Sequence, residues 1–187
     1  MGTVSPIDFV TEKDFDHILK LIVTPLLSAL VKRGNKFQGI LFPGIMLTET
    51  GPKVIEFNAR FGDPETESYM RLLDSDIVPI LFSCVEGTLD KQEIIWKELK
   101  TATVILASGG YPLAYEKGKV ISGLENSFDD SVVIFHAGTT IVDDILVTNG
   151  GRVLAVSATG ENFERALNLC YESINKISFN GMQYRHD

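Results

Sequence analysis

Val54 to Glu65, VIEFNARFGDPE, is the stretch whose reading decides the fold. Its first seven residues have β-rich alternation. On an extended strand successive side chains point to opposite faces, so Val54, Glu56, Asn58 and Arg60 are expected on one face and Ile55, Phe57 and Ala59 on the other. Glu56 and Asn58 then project side by side, roughly 7 Å apart at the backbone. Two hard oxygen donors at that spacing suit Mg²⁺, which takes one or two protein oxygens and completes its shell with water and phosphate. The competing reading is an ordinary solvated face of a half-exposed strand. Asp63-Pro64 has the form of a helix start, with an acid as N-cap and proline in the first turn.

Upstream, FQGILFPGIML (37–47) is a second β-rich run, joined to PKVIEFNAR (52–60) through TETG, whose Gly51 suits a tight turn. An antiparallel hairpin is expected. Residues 13–33 place apolar side chains at intervals of three and four, with Thr11 as cap, Gly34 as stop and Pro25 as the point where the helix kinks or splits. Helical patterns follow at 64–74 and 76–87.

The texture changes near Thr101. Short β-rich runs separated by turn residues (ATVILAS, KGKVISG, SVVIFHAG, ILVT, GRVLAVSA) predict a small, mostly antiparallel sheet or half-barrel. A helix over 161–176 closes it, with Phe163, Ala166, Leu167, Leu169, Cys170 and Ile174 on one stripe. The fold class is α+β, with expected domains 1–96 and 97–187.

The 187 residues carry a formal charge of -8. That balance disfavours nucleic acid and anionic membranes, so a phosphate-bearing partner must be held by local arginine, backbone amides or a metal. Every apolar run is interrupted before the ~20 residues of a membrane helix, and no signal peptide is evident. Cys84 and Cys170 form no C-x-x-C and read as core thiols of a cytoplasmic protein. His17, His136 and His186 form no metal-spaced pair, and Gly109-Gly110-Tyr111-Pro112 lacks the Lys-Ser/Thr of a P-loop and reads as a turn. No thiol–imidazole pair or G-x-S-x-G supports a protein nucleophile.

GILFPGIMLTETGPKVIEFNARFGDPETE (39–67) closely resembles the ATP-grasp core of the glycinamide ribonucleotide synthetases, the phosphoribosylamine–glycine ligases of purine synthesis. MGTVSP is similar to the end of that family's Gly-Gly-Met-Gly-x-x-Ser-Pro loop. ILASGGYPLAYEKGKVISGL, VIFHAGTTIVDD and VTNGGRVLAVSATG resemble its C-terminal domain. The motifs occur in the family's order and span essentially the whole chain.

The resemblance implies the C-terminal part of an ATP-grasp domain followed by a small β domain closed by a helix. It also implies that the family's N-terminal Rossmann-like domain and ATP-grasp lid lie outside this chain, which is expected to be inactive alone. By the same resemblance Glu56 and Asn58 correspond to Mg²⁺ or Mn²⁺ ligands on ATP phosphates. Arg60 corresponds to an arginine near phosphate or the acyl phosphate. Asp63 and Glu65 correspond to the family's Asp-Pro-Glu near the ribosylamine, and Gly2, Ser5 and Pro6 to the loop shaping that pocket. By its position before Pro64, Asp63 reads first as a helix cap. Met46 is either an apolar residue beneath the adenine or core filler. The chain departs from the pattern in having no acid in Leu41–Leu47 and in carrying Glu67 where glutamine is common.

The implied substrates are ATP, glycine and phosphoribosylamine, joined through glycyl phosphate. Alternatives are another ATP-grasp carboxylate–amine ligase, or a non-catalytic nucleotide- or partner-binding module, which an exposed apolar patch on the 37–60 hairpin would favour.

Overall fold

A computed structural model describes residues 1–186. The backbone divides into two units. A hairpin unit comprises Ile7–Gly62 and Leu73–Ile95; a sheet unit comprises Met1–Pro6, Asp63–Leu72 and the residues from Trp96 onward.

In the hairpin unit Thr11 starts α1 (Glu12–Ile18) with a reciprocal capping box: its hydroxyl accepts from the Asp14 backbone N–H, and the Asp14 carboxylate accepts from the Thr11 N–H at 3.0 Å. The expected 13–33 helix runs unbroken from Glu12 to Lys32, but Pro25 keeps it from being a regular α-helix throughout. Proline has no N–H for its i−4 carbonyl and its ring crowds that carbonyl. The mismatch is absorbed by a π-helical segment, Leu19–Val23, before α2 (Thr24–Lys32), which takes Pro25 into its first turn.

Strands β2 (Phe42–Thr48) and β3 (Gly51–Asn58) pair antiparallel around Glu49-Thr50, with Gly51 at φ +101° closing the turn. The hairpin is shorter than the sequence pattern suggests: Phe37–Leu41 and Ala59–Arg60 lie outside it. Helix α4 (Ile77–Glu86) is capped by the Asp76 side chain on the Val78 N–H. The buried side chains of this unit are Ile80 and Ser83. Met46, Leu47, Val54, Ile55 and Phe57 of the hairpin are all exposed.

In the sheet unit the strand order is β1 (Gly2–Ser5), β4 (Lys100–Ala107), β8 (Arg152–Gly160), β5 (Val132–His136), all antiparallel. The sheet is open, with β1 and β5 at its edges. Helix α5 (Phe163–Ile174), capped by Asn162, covers one face; α3 (Thr66–Leu72) covers the other. Alternation explains the contents of each face. Ala102, Val104 and Leu106 pair with Ala158, Val156 and Leu154 and pack against Ala166, Leu169, Cys170 and Ile174 of the amphipathic α5. Thr101, Thr103 and Ile105 point to the α3 side. The central strands are thus buried on both faces, so they read as near-continuous apolar runs interrupted by small hydroxyl residues.

Two expectations need correction. KGKVISG is not a strand: Val120 bridges only to Val147 and Ser122 only to Ser178, so the segment passes from one neighbour to the other without running along either. Strands β6 (Thr139–Val142) and β7 (Ile145–Thr148) form a separate hairpin instead of joining the main sheet. Among the described residues no helix is long and apolar enough to cross a membrane.

Candidate functional site

The β2–β3 register settles which side chains share a face, because residues directly opposite one another across an antiparallel pair project together. Gly44 lies opposite Glu56 and Phe42 opposite Asn58, but Ile45 lies opposite Val54, leaving Ile55 as the extra residue of a bulge. Strict alternation therefore fails at one point. Glu56 and Asn58 share a face with Phe42, Gly44 and Met46, while Val54 falls on the other face with Ile45 and Phe57. The bulge shifts the β3 residues before it by one position, whereas Met46 reaches the Glu56 side through the unbroken alternation Phe42, Gly44, Met46 on β2. Met46 is 54% exposed, so within this chain it is not core filler.

Glu56 and Asn58 meet directly: Asn58 Nδ2 donates to Glu56 Oε1 at 3.0 Å. That contact occupies one carboxylate oxygen and the amide nitrogen, and leaves Glu56 Oε2 and Asn58 Oδ1 as acceptors on the same face. One carboxylate and one amide are a hard, oxygen-only donor set. No cluster of three or more His, Cys, Asp or Glu side chains suited to a metal exists among the described residues. The pair therefore fits a cation completed by substrate and water oxygens, as Mg²⁺ is, and not a zinc cage.

Arg60 does not continue the strand face as the alternation suggested. Strand β3 ends at Asn58, and in the following bend the Arg60 Nη1 donates to the Phe61 carbonyl at 2.8 Å, leaving the exposed guanidinium its remaining donors.

The other expected site residues, Gly2, Ser5, Pro6, Asp63 and Glu65, fall in the sheet unit. Gly2 and Ser5 are the ends of edge strand β1, and the Ser5 carbonyl accepts from Thr101 Oγ1 at 3.3 Å. A methyl group on Gly2 would lie 2.8 Å from the Thr103 carbonyl oxygen, so the close approach of β1 to β4 requires glycine there.

Asp63 is not a helix cap, because α3 begins only at Thr66 and Asp63–Glu65 form a turn before it. The Asp63 carboxylate pairs instead with Arg152 at the start of β8: Arg152 Nη1 donates to Asp63 Oδ1 at 3.0 Å and to the Asp63 carbonyl at 2.5 Å. Arg152 Nε donates to the Tyr111 hydroxyl at 3.2 Å. That bond leads the causes that raise the guanidinium pKa, with Asp63 adding to it. The Glu65 carbonyl accepts from the Ser68 and Tyr69 amides at 3.0 Å and so nucleates α3.

Glu67 lies one turn further on. Burial lifts its carboxyl above the ordinary value, with Asp63 and Glu65 adding repulsion, and its Oε2 is buried without a hydrogen-bond partner.

The Tyr111–Arg152–Asp63 contact is not legible in the sequence. Gly109-Gly110-Tyr111-Pro112 is the expected turn, with the Tyr111 amide donating to the Ser108 carbonyl, and only the packed structure aims its phenol at Arg152. A lone arginine opening an apolar strand, at the end of an Asn-Gly-Gly turn, was the available signal. His136 meets Thr139 Oγ1 at 3.1 Å, a local contact next to the turn into β6.

Two family descriptions match the chain: "Phosphoribosylglycinamide synthetase, ATP-grasp (A) domain" over residues 1–66 and "Phosphoribosylglycinamide synthetase, C domain" over 101–187. A phosphoribosylamine–glycine ligase of Caldanaerobacter subterraneus subsp. tengcongensis is 42% identical over all 187 residues, which cover 44% of that protein. The bifunctional purine biosynthetic protein ADE1 of Schizosaccharomyces pombe is also 42% identical, with 24% of its length covered. Among solved structures, the phosphoribosylamine–glycine ligase of Thermotoga maritima superposes with a TM-score of 0.81 at 34% identity, over 99% of this chain and 45% of that one. A biotin carboxylase domain from Hydrogenobacter thermophilus, at 14% identity and TM-score 0.66 over 98% of this chain and 40% of that one, shares the fold alone. The chain spans less than half the length of these relatives.

Proposed function

The chain belongs to the phosphoribosylglycinamide synthetase family, and on that premise we propose that it supplies the metal edge and part of the amine-substrate pocket of a cytoplasmic ligase that joins glycine to 5-phosphoribosylamine with ATP. The observation that carries the reading is the Glu56–Asn58 pair, joined by a hydrogen bond on one face of the hairpin and offering only hard oxygens. A Mg²⁺ or Mn²⁺ held there would neutralise charge on nucleotide phosphate oxygens.

In this reading a glycine carboxylate oxygen attacks the γ-phosphorus as the bond to the β-phosphate oxygen breaks, giving glycyl phosphate and ADP. The phosphoribosylamine nitrogen then attacks the acyl carbon, phosphate departs, and the nitrogen loses a proton to become the amide. Such a reaction asks for alignment and charge neutralisation and needs no protein nucleophile. Arg60 serves the transferred phosphoryl group. Gly2, Ser5, Pro6, Asp63 and Glu65 serve the ribosylamine. Met46, exposed on the Glu56 face, serves the nucleotide base. Residues 1–96 are assigned to the ATP-grasp part and 97–187 to the small C-terminal domain.

The test is ADP release with glycine and phosphoribosylamine, measured on this chain and on a fusion carrying the remaining length of the Caldanaerobacter ligase ahead of it. Turnover and divalent-ion dependence are expected in the fusion, and both should vanish when Glu56 and Asn58 are changed to alanine. Retention of both would remove the metal assignment.

The exposure of Leu47, Ile55 and Phe57 favours a second reading, a non-catalytic module that binds nucleotide or a partner through the hairpin. It predicts no turnover in either form. Turnover with a different amine would mark another carboxylate–amine ligase.

A further inference from the structure

The sheet-unit segments assigned to the amine substrate, Gly2–Pro6 and Asp63–Glu65, are more than fifty residues apart in sequence. Thr3 of the first segment and Ser68, whose amide bonds the Glu65 carbonyl of the second, belong to one row of hydroxyl groups crossing the α3 face of the sheet. Thr3 lies opposite Thr103, and Thr103 opposite Ser157, so three neighbouring strands present a hydroxyl at one level. Ser68 of α3 reaches into that row. Its Oγ lies 2.7 Å from Thr3 Oγ1 and 2.8 Å from Thr103 Oγ1; Thr103 Oγ1 donates to Ser157 Oγ at 2.9 Å, and Ser157 Oγ donates to the Glu67 carbonyl at 2.7 Å. Ser68, Thr103 and Ser157 are each at most 1% exposed.

Proton counting fixes the direction. A carbonyl only accepts, so the single Ser157 proton goes to Glu67 and Ser157 must accept from Thr103. Thr103 has then spent its proton and accepts from Ser68. Ser68 in turn accepts from Thr3, whose contact with the Pro64 carbonyl at 3.4 Å is left as a weak second interaction. The result is one unidirectional relay, Thr3 to Ser68 to Thr103 to Ser157 to the Glu67 carbonyl, in which each bond polarises the next. A buried row of small hydroxyls is a poor way to fill space between a helix and a sheet. Val or Ala would fill it with no polar atom to satisfy, and one missing partner strands a buried hydroxyl.

We propose that this relay is a positioning device: it locks edge strand β1 and the Asp63–Glu65 turn to the same level of the sheet, and so sets the geometry of the amine-substrate pocket while leaving the nucleotide edge untouched. Thr103, at its centre, is the principal positioning residue. The substrate half of this statement rests on the function proposed above; the locking half does not.

The experiment compares Thr103→Val, of nearly the same shape, with Thr103→Ser, which keeps the hydroxyl, in the whole chain. Hydrogen exchange at the Ser68 and Tyr69 amides, which nucleate α3, is expected to quicken about tenfold in Thr103→Val and to return near the original rate in Thr103→Ser. Amides of Val156 and Leu106 should change far less. Glycinamide ribonucleotide, the expected product, serves as probe and should bind about tenfold more weakly to the valine variant only. Broadening of the Asn58 amide resonance by Mn²⁺ with ADP should be alike in all three proteins.

Unchanged exchange at Ser68 and Tyr69, or identical behaviour of the Val and Ser variants, overturns the relay. If Thr103→Val does not fold, Thr3→Val at the partly buried end makes the same comparison. Rescued exchange in a chain that never binds the ribonucleotide keeps the relay and removes the substrate reading.

Discussion

Arg152 holds the turn that carries Asp63, and the strength of that hold can be apportioned. Its guanidinium makes three hydrogen bonds: to the Asp63 carbonyl at 2.5 Å, to Asp63 Oδ1 at 3.0 Å and to the Tyr111 hydroxyl at 3.2 Å. The Arg152 side chain is 33% exposed and that of Asp63 is 55% exposed. A pair so open to solvent contributes about 0.5 kcal/mol through its carboxylate, whereas the carbonyl and phenol bonds contribute about 1 kcal/mol each. Arg152→Ala should therefore lower the stability of the sheet unit by about 2.5 kcal/mol and Asp63→Ala by about 0.5 kcal/mol. The double variant should be scarcely worse than Arg152→Ala, because among the described residues the carboxylate has no other partner to lose.

Native-state hydrogen exchange of β8 amides reads the sheet unit without averaging over the hairpin unit. The expected accelerations are about 60-fold for Arg152→Ala and about twofold for Asp63→Ala. About 0.5 M NaCl should erase the Asp63→Ala effect and spare that of Arg152→Ala. Equal accelerations in the two single variants, or an Arg152→Ala effect that salt abolishes, would show that the arginine acts as a charge and not as a fork on the backbone, and the reasoning would fail.

Glu67 gives a pH signature. Its carboxyl is raised above 4.5 by burial, so between the ordinary and the raised value the folded state binds more protons than the unfolded state, and stability falls as pH rises through that window. Glu67→Gln should flatten this slope and stabilise the neutral-pH protein, as measured by urea titrations from pH 4 to 8. Cys170 is buried with its thiol pushed up to about 12, whereas Cys84 is partly exposed. Iodoacetamide near pH 8 should alkylate Cys84 in the native protein and reach Cys170 only on unfolding, read by mass spectrometry. Gly123 has φ +94°, and a methyl group there would lie against the Lys176 carbonyl. Gly123→Ala should cost more than about 3 kcal/mol, seen as a lost or strongly lowered thermal transition of the sheet unit.

What lay within one or two helical turns was legible in the residues. The Thr11 cap, the irregularity at Pro25, the Gly51 turn and the buried stripe Ala166–Leu169–Cys170–Ile174 all depend on neighbours within a few positions, so local spacing specifies them. The Glu56–Asn58 pair was equally legible, because two residues on one strand share a face whatever surrounds them, provided no bulge falls between them. The bulge fell just before them, at Ile55, and displaced Val54; its cause is the register against β2, which no window on β3 contains.

Tertiary structure alone decided the rest. Gly2 finds Val104, Asp63 finds Arg152, and Thr3 is linked through Ser68 to Thr103 and Ser157. A four-residue edge strand has too little pattern to announce itself. A threonine in an apolar strand looks the same whether its hydroxyl is stranded or bonded. Alternation along a strand says which faces a side chain shares with its neighbours, but the identity of the partner across the gap is set by which distant segment closes over it, and that depends on the packing of the whole unit.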